Sequence, residues 1–327
     1  FCKSGRGGVL ENEYKKISNV YIIKYKLGYL NPNKFPYLIQ TILKNNINVL
    51  CDFTGNFSGL IMLLGKYYNV SKRITFYRGS SDKFKKDIFR NSINVLLKYL
   101  TFKYSTDILS NSITAFQYFY PKVWNTNKKF SVIYNGIIHE EFSANLTNLR
   151  GEFNIPKDAF VVGHVGRYSY AKNHDTIIKV AFELVANHSN IYFILCGRDV
   201  PKHYSTTILE RGLQERILLF NHRNDIPTLL NTFDCFYFPS ITEGQPNALL
   251  EAMVKNIPFV ASEIDSIKET VPYWTYKFLV PPMSVSLAIE KILWIKENQP
   301  NLNLSSWTIK NFDHKKWFDE FMNKLKE

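Results

Sequence analysis

GHVGRYSYAKNHDTI, residues 163–177, is the stretch from which this chain is best read. The apolar run AFVVGHVG (159–166) leads into it, and a helical pattern over 174–187 leads out. A buried strand, a turn and then a helix form the repeating unit of a parallel α/β sheet. Arg167 and Lys172 stand in the turn, and Asn173 or His174 stands where a helix cap is expected. Two cations beside a helix N-terminus make an anion site, because orphan amides and the helix dipole add to the side-chain charge. Arginine offers a planar fork to a phosphate, and lysine a point charge. By itself the same pattern also describes an ordinary strand–turn–helix with a basic surface. His164 and His174 flank the turn as packing or capping residues.

Downstream, NIYFILCG (190–197), RILLF (216–220), DCFYFPS (234–240) and IPFVAS (257–262) read as further strands. Helical patterns at 203–213, 246–255 and 284–297 alternate with them, and 313–326 reads as an amphipathic helix carrying Trp317, Phe318 and Phe321. Upstream, VYIIKY (20–25), INVLCDF (47–53), KRITFY (72–77), DILSNS (107–112) and KFSVIY (129–134) repeat the alternation. FPYLIQTILKN, SGLIMLLGKYY and a long basic stretch over 84–104 are its helices. A chain of 327 residues exceeds what one core usually supports, so two domains are expected. The polar segment 143–156 reads as the linker between them.

Open parallel sheets bind ligands beyond the carboxyl ends of their strands. A second segment in such a place is PSITEGQPNALLEAM, residues 239–253. Pro246 suits a first helical turn, and Gly244 allows a tight turn with free amides. That puts Glu243 in the loop and Glu251 on the helix, where two carboxylates can reach two parts of one extended ligand. A carboxylate accepts both protons of a vicinal diol. The plainer alternative is a capping glutamate and an ordinary helix glutamate.

Taken together, the two segments resemble glycosyltransferase family 4, retaining enzymes of the GT-B fold that include bacterial capsular and exopolysaccharide transferases. The resemblance rests on the Glu243-x7-Glu251 spacing, the Gly166-Arg167 turn followed by Lys172, Asn135-Gly136-Ile137 and Asp225-Ile226-Pro227. It implies an α/β GT-B architecture of two facing Rossmann-like domains with parallel sheets and a cleft between them. The expected division is an acceptor-binding domain over 1–142, a nucleotide-sugar domain over 143–312, and a final helix over 313–327 crossing back to the first. The resemblance also implies roles. Arg167 and Lys172 bind the donor diphosphate and stabilise the leaving group, Glu243 contacts the transferred sugar, and Glu251 holds the ribose hydroxyls. The backbone around Gly244, Gln245 and Asn247 wraps the phosphate and sugar, and Gly166 and Pro246 count among the donor-binding residues. The implied donor is a UDP- or GDP-sugar, transferred with retention to a lipid-linked or oligosaccharide acceptor, without a metal or other cofactor. The sequence holds no Asp-x-Asp pair to bind a metal.

Two features depart from that pattern. The chain opens in mid-pattern at Phe1-Cys2-Lys3, and Gly5-Arg6-Gly7-Gly8 follows no strand, so the expectation is that the native N-terminus, with the family's first strand and loop, is missing. Many relatives place a histidine near the end of the strand read here as KRITFY. This chain has Phe76-Tyr77-Arg78, and Arg78 becomes the candidate on the acceptor side.

Charge separates the halves. Residues 1–150 hold 22 Lys and Arg against 8 Asp and Glu, and the remainder hold 19 against 20, within an overall +13. A polyanionic partner for the first half is expected. Nucleic acid fits the charge, but no base-stacking or recognition motif accompanies it. An anionic membrane surface fits as well. Lys83, Lys85, Lys86, Arg90, Lys98 and Lys103 lie on the basic amphipathic helix, and lipid-linked acceptors reside at membranes. A cytoplasmic protein, peripheral on the inner face of the plasma membrane, is the resulting expectation. The four scattered cysteines, three of them in strand runs, read as buried thiols rather than disulfides or metal ligands. Rival readings are a nucleotide-sugar 2-epimerase on the same fold and a non-catalytic partner subunit. A nicotinamide dehydrogenase is disfavoured, because no strand is followed by GxGxxG.

Overall fold

The computed structural model describes residues 1–8, 10–27, 32–81, 88–143 and 147–326. Internal contacts group the chain into two units. The first comprises Phe1–Tyr77, Lys83–Leu109 and Lys128–Ser131, and the second Arg78–Asp82, Ser110–Asn127 and Val132–Glu327.

The first unit is built on a four-stranded sheet. Its strands are β1 (Val49–Asp52), β2 (Lys72–Tyr77), β3 (Asp107–Ser110) and β4 (Phe130–Val132), adjacent in that order. β1 and β2 run parallel, with Val49 opposite Lys72 and Asp52 opposite Thr75. The helices Phe35–Lys44 and Gly59–Tyr67 contribute Leu38, Ile42, Ile61 and Met62 to a small core with Leu27 and Val70. The run 20–25 is not a strand. It makes one isolated bridge, Cys2 with Lys24, followed just beyond it by Ser4 with Lys26, because its neighbour is the start of the chain rather than a sheet strand. The basic helix runs over Ile88–Tyr104; Lys83, Lys85 and Lys86 lie outside the described residues. Leu97 and Thr101 are buried on it, the backbone at Leu97 packs close to Gly59, and Val95, Leu96 and Tyr99 are exposed.

The second unit carries a six-stranded sheet. Its strands are β5 (Phe160–Val165), β6 (Ile191–Cys196), β7 (Ile217–Phe220), β8 (Cys235–Phe238), β9 (Phe259–Ser262) and β10 (Leu279–Val280). They lie in the order β10-β9-β8-β5-β6-β7, and every pairing is parallel. The chain thus winds outward from β5 through β7, returns to β8 on the other side, and winds outward again. This is the doubly wound order, with its topological switch between β5 and β8. Helices on both faces explain the apolar strands: β8 and β9 are buried at every position. Val161, Phe193, Ile194, Phe236, Phe238 and Val260 form the centre of the core. The four cysteines are free, with Cys196 and Cys235 buried and Cys2 and Cys51 half-buried. Among the described residues no helix is long and apolar enough to cross a membrane.

The contact division differs from the expected boundary at Phe142. Glu269 explains much of it. Its carboxylate accepts bonds from the amides of Ile113 (2.6 Å) and Thr114 (3.0 Å), the Thr114 hydroxyl (3.0 Å) and the Tyr134 hydroxyl (2.7 Å). That ties the start of the helix Ile113–Phe119 into the second unit. The final helix, His314–Lys326, belongs there too. Trp317 lies edge-on to Tyr134, 5.0 Å between centroids, and the Ile137 amide donates to the Phe312 carbonyl at 2.8 Å.

Candidate donor-binding site

The switch point sets β5 and β8 side by side, so the segments that follow them emerge together. After β5, the Gly166 amide donates to the Cys196 carbonyl (2.9 Å) and continues the ladder one step. A side chain on Gly197, at the end of β6, would overlap the Gly166 carbonyl, so glycine there lets the two strand ends close up. Arg167 follows at the surface, and its guanidinium makes no hydrogen bond or ion pair with the described residues. A short 3-10 turn, Tyr170–Lys172, then carries the chain to the helix His174–Asn187.

Asn173 occupies the cap position in the left-handed conformation (φ 57°), but its side chain does not cap. It donates instead to the carbonyls of Pro239 (3.0 Å) and Pro282 (2.8 Å), and accepts from Thr176 (2.8 Å). One amide therefore pins the β5 turn to the β8 loop. The Ile241 amide adds a bond to the Ala171 carbonyl at 2.8 Å.

His164 and His174 brace the turn from beneath. Both are buried, edge to face at 5.0 Å between centroids. His174 Nε2 lies 3.2 Å from the Gly166 carbonyl and His164 Nδ1 lies 2.9 Å from the Tyr237 carbonyl. A carbonyl only accepts, so each of these nitrogens carries the proton. Burial, with the other imidazole and the Lys172 ammonium, holds His164 well below the usual histidine range. Burial likewise brings His174 down to about 4, so both rings are neutral at pH 7.

Lys172 and Glu243 meet. Lys172 Nζ donates to Glu243 Oε1 at 2.7 Å and stands 4.4 Å from the centre of the Phe238 ring. Both side chains are largely enclosed. Glu251 sits one turn into the helix Asn247–Val254, with Pro246 at its N-cap. Burial pushes its carboxyl up to about 7, against the opposing pull of Lys172, with Glu141 adding a further push. Lys172 therefore stands in the field of both glutamates that the sequence pairs.

Gly244 is not in the left-handed region. Its need is spatial: an added Cβ would lie 2.8 Å from the Arg78 carbonyl and 3.0 Å from Asn111 Oδ1. The Arg78 segment is held against this loop. The Ser80 hydroxyl donates to the Glu243 carbonyl, and the Ser81 and Thr242 hydroxyls are 3.0 Å apart. Arg78 itself is exposed. Asn111 Oδ1 is buried with no hydrogen-bond partner.

Gln245 and Asn247 are engaged with the chain itself. The Gln245 side chain accepts from the Asn135 amide (2.6 Å) and donates to the Asn135 carbonyl (3.0 Å), a two-way clamp. The Asn135 side chain donates to Asn247 Oδ1 at 3.0 Å. These two side chains thus lock the Asn135-Gly136 segment, and the Asn247 amide donates to the Gln245 carbonyl at 3.0 Å. Sequence reasoning placed Ser80 and Ser81 beside Arg78 without their bonds to this loop and missed Asn111, which joins them only through tertiary packing. It singled out Asn135 and Asn173 without their cross-links.

Against known proteins, residues 146–311 match the family described as Glycosyl transferases group 1. The chain is 29% identical over 314 residues to the capsular polysaccharide biosynthesis glycosyltransferase CapH of Staphylococcus aureus, covering 90% of this chain and 82% of that protein. It is 29% identical over 193 residues to an Escherichia coli enzyme, UDP-Gal:alpha-D-GlcNAc-diphosphoundecaprenol alpha-1,3-galactosyltransferase. That match takes in 56% of this chain and about half (49%) of the relative. In fold it is similar to HepE of Anabaena, whose crystal structure is in complex with UDP, with a TM-score of 0.76 at 20% identity over 92% of this chain and 83% of HepE.

Proposed function

This chain belongs to the glycosyl transferases group 1 family, and on that premise we propose that it moves a sugar from a uridine or guanosine diphosphate donor to a glycan acceptor during surface-polysaccharide assembly. The observation that carries the reading is the switch point of the second unit. There an exposed Arg167 stands on the turn that holds Lys172, and Lys172 is paired with Glu243. The capsular name of one relative, the undecaprenol-linked substrate in the name of another, and the UDP bound to HepE support it.

The chemistry follows from charge. Cleaving the bond between the anomeric carbon and phosphate leaves its electron pair on the nucleoside diphosphate. Arg167 supplies a fork for that charge, and Lys172, exchanging part of its bond to Glu243 for a phosphate oxygen, supplies a second cation. Cations already in place lower such a barrier more than groups that must reorganise. Glu243, released from Lys172, accepts hydroxyls of the transferred sugar, and Glu251 accepts those of the ribose. The acceptor hydroxyl bonds to the anomeric carbon and gives its proton to the departing phosphate on the same face. Configuration is thereby retained, and no step requires a metal. Arg78 lies beside Gly244 and is proposed to meet the acceptor. The exposed Val95, Leu96 and Tyr99 on the basic helix are proposed to rest on an anionic membrane that holds a lipid-linked acceptor.

The test is transfer from radiolabelled UDP-glucose, UDP-galactose, UDP-N-acetylglucosamine and GDP-mannose to undecaprenyl-diphosphate-linked sugars, with and without EDTA. Transfer with one donor, unchanged by EDTA and lowered about tenfold or more by Arg167→Ala, supports the reading. Release of a free epimerised nucleotide sugar without acceptor replaces it with epimerase chemistry.

A further inference from the structure

A second face of the second unit carries a groove that the transfer reaction does not use. It is a concavity of about 610 Å³ lined by Tyr273, Trp274 and Trp307 together with Asn301, Asn303 and Lys310. Tyr273 and Trp274 belong to the 3-10 segment Tyr273–Phe278 that enters β10 at its amino end, the end of the sheet opposite Arg167 and Glu243. Trp307 and Lys310 lie on the helix Leu304–Phe312.

The rings are set rather than loose. The Trp274 indole donates to the Leu302 carbonyl at 3.0 Å, Tyr273 stands edge-on to it at 5.4 Å, and Trp307 edge-on at 6.5 Å. They remain open to solvent even so, with Tyr273 77% and Trp274 38% exposed. Polar groups sit among them. Asn301 Oδ1 accepts from Asn256 and from the Asn303 amide, which leaves the Asn301 amide hydrogens without a partner among the described residues. The Asn303 side chain and the Lys310 ammonium are likewise unengaged there. Asn301 also lines an adjoining groove of about 700 Å³ that continues under the amino ends of β5, β8 and β9. With Lys310, the two grooves together hold five cationic side chains, among them Lys157, Lys255 and Lys296, against two carboxylates, Asp158 and Asp234.

We propose that these two adjoining grooves, which share Asn301, form a glycan-binding site, distinct from the donor site, for an extended acidic polysaccharide chain; the proposal deepens the transferase reading and rests on it. Flat rings receive the C–H face of a pyranose, while amides at their edges take its hydroxyls. The excess of cations suits carboxylate or phosphate groups on the sugars. A membrane would also take exposed tyrosine, tryptophan and lysine, but it favours a protruding surface. Here the rings stand beside side-chain amides that have no partner among the described residues, and hydrocarbon would leave those amides unsatisfied. An enzyme that extends a polymer gains from such a site, since a second hold on the chain raises its effective concentration at the first.

The test uses the full chain on an array of bacterial capsular and O-antigen polysaccharides, with phosphatidylcholine–phosphatidylglycerol vesicles in parallel. The exposed positions are varied as Tyr273→Ala and Lys310→Glu, so folding is not at stake. The expected result is binding to uronate- or phosphate-bearing polysaccharides, weakened about tenfold by Tyr273→Ala, with Lys310→Glu weakening the acidic ones most. UDP affinity is measured on the same samples and should not change. No polysaccharide bound, binding indifferent to both substitutions, or loss of vesicle binding in place of glycan binding would each overturn the proposal. If UDP binding is absent while glycan binding is present, it is the donor reading that fails and not the groove.

Discussion

Lys172 has more than one acidic neighbour, and that defines how the site behaves before a donor arrives. It is bonded to Glu243 and lies in the field of Glu251, which burial keeps protonated up to about pH 7. A diol is best held by the ionised carboxylate. UDP affinity should therefore rise between pH 6 and 8 in the wild type, and Glu251→Gln should flatten that rise to the part that UDP's own phosphate contributes. Stability runs the other way. The folded carboxyl takes up its proton more readily than the unfolded one, whose ordinary value is 4.5. The folded state thus binds more protons between about pH 4.5 and 7, and stability falls as pH rises through that window, by at most about 3 kcal/mol. Glu251→Gln should raise the melting temperature at pH 8 more than at pH 5. Replacing Arg167 or Lys172 by alanine should lower kcat/KM about tenfold or more, since a charge-assisted bond is worth roughly 1.5–3 kcal/mol. His174 acts one step back, through the Gly166 carbonyl. His174→Gln keeps a donor and should retain most UDP affinity, whereas His174→Phe should lose it.

At the scale of elements, the decisive contact is the close approach of the Arg78 backbone to Gly244. Gly244→Ala must push that segment or the donor loop aside, at a cost of about 1–3 kcal/mol. Circular dichroism melts and UDP titration should both register the change. The exposed ridge of Val95, Leu96 and Tyr99 can be tested apart from the site. Leu96→Glu with Tyr99→Glu should reduce flotation with anionic vesicles at low salt and leave UDP affinity unchanged. Elements with a strong local signature were legible in the sequence. β2 and the helix His174–Asn187 stand where their periodicity put them, because a buried strand and a long amphipathic helix each carry enough apolar residues to show a period. β10 has two residues and shows none. The run 20–25 is apolar and β-branched like a strand, yet strand formation needs a partner that local sequence does not supply.

For the molecule as a whole, the parallel α/β organisation was readable from alternation and the presence of two domains from chain length, and the order of strands was not. Nothing local says that the chain returns to β8 beside β5, yet that return is what brings Gly166 to Lys172 and Ser240 to Gln245 into one place. The assignment of Ser110–Asn127 to the second unit was equally hidden, since it hangs on Glu269, more than 150 positions away from the amides it caps. The residue pairs at the site were legible as types and spacings; the bond between Lys172 and Glu243, and the commitment of Gln245 to Asn135, belong to the tertiary structure. The measurement that bears most directly on the central claim is calorimetric titration of the full chain with UDP and GDP, for the wild type, Arg167→Ala and Glu251→Ala. One nucleotide should bind, and each substitution should weaken it about tenfold or more. Binding that neither substitution alters, or no binding of either nucleotide, would contradict a donor site at the β5–β8 switch point.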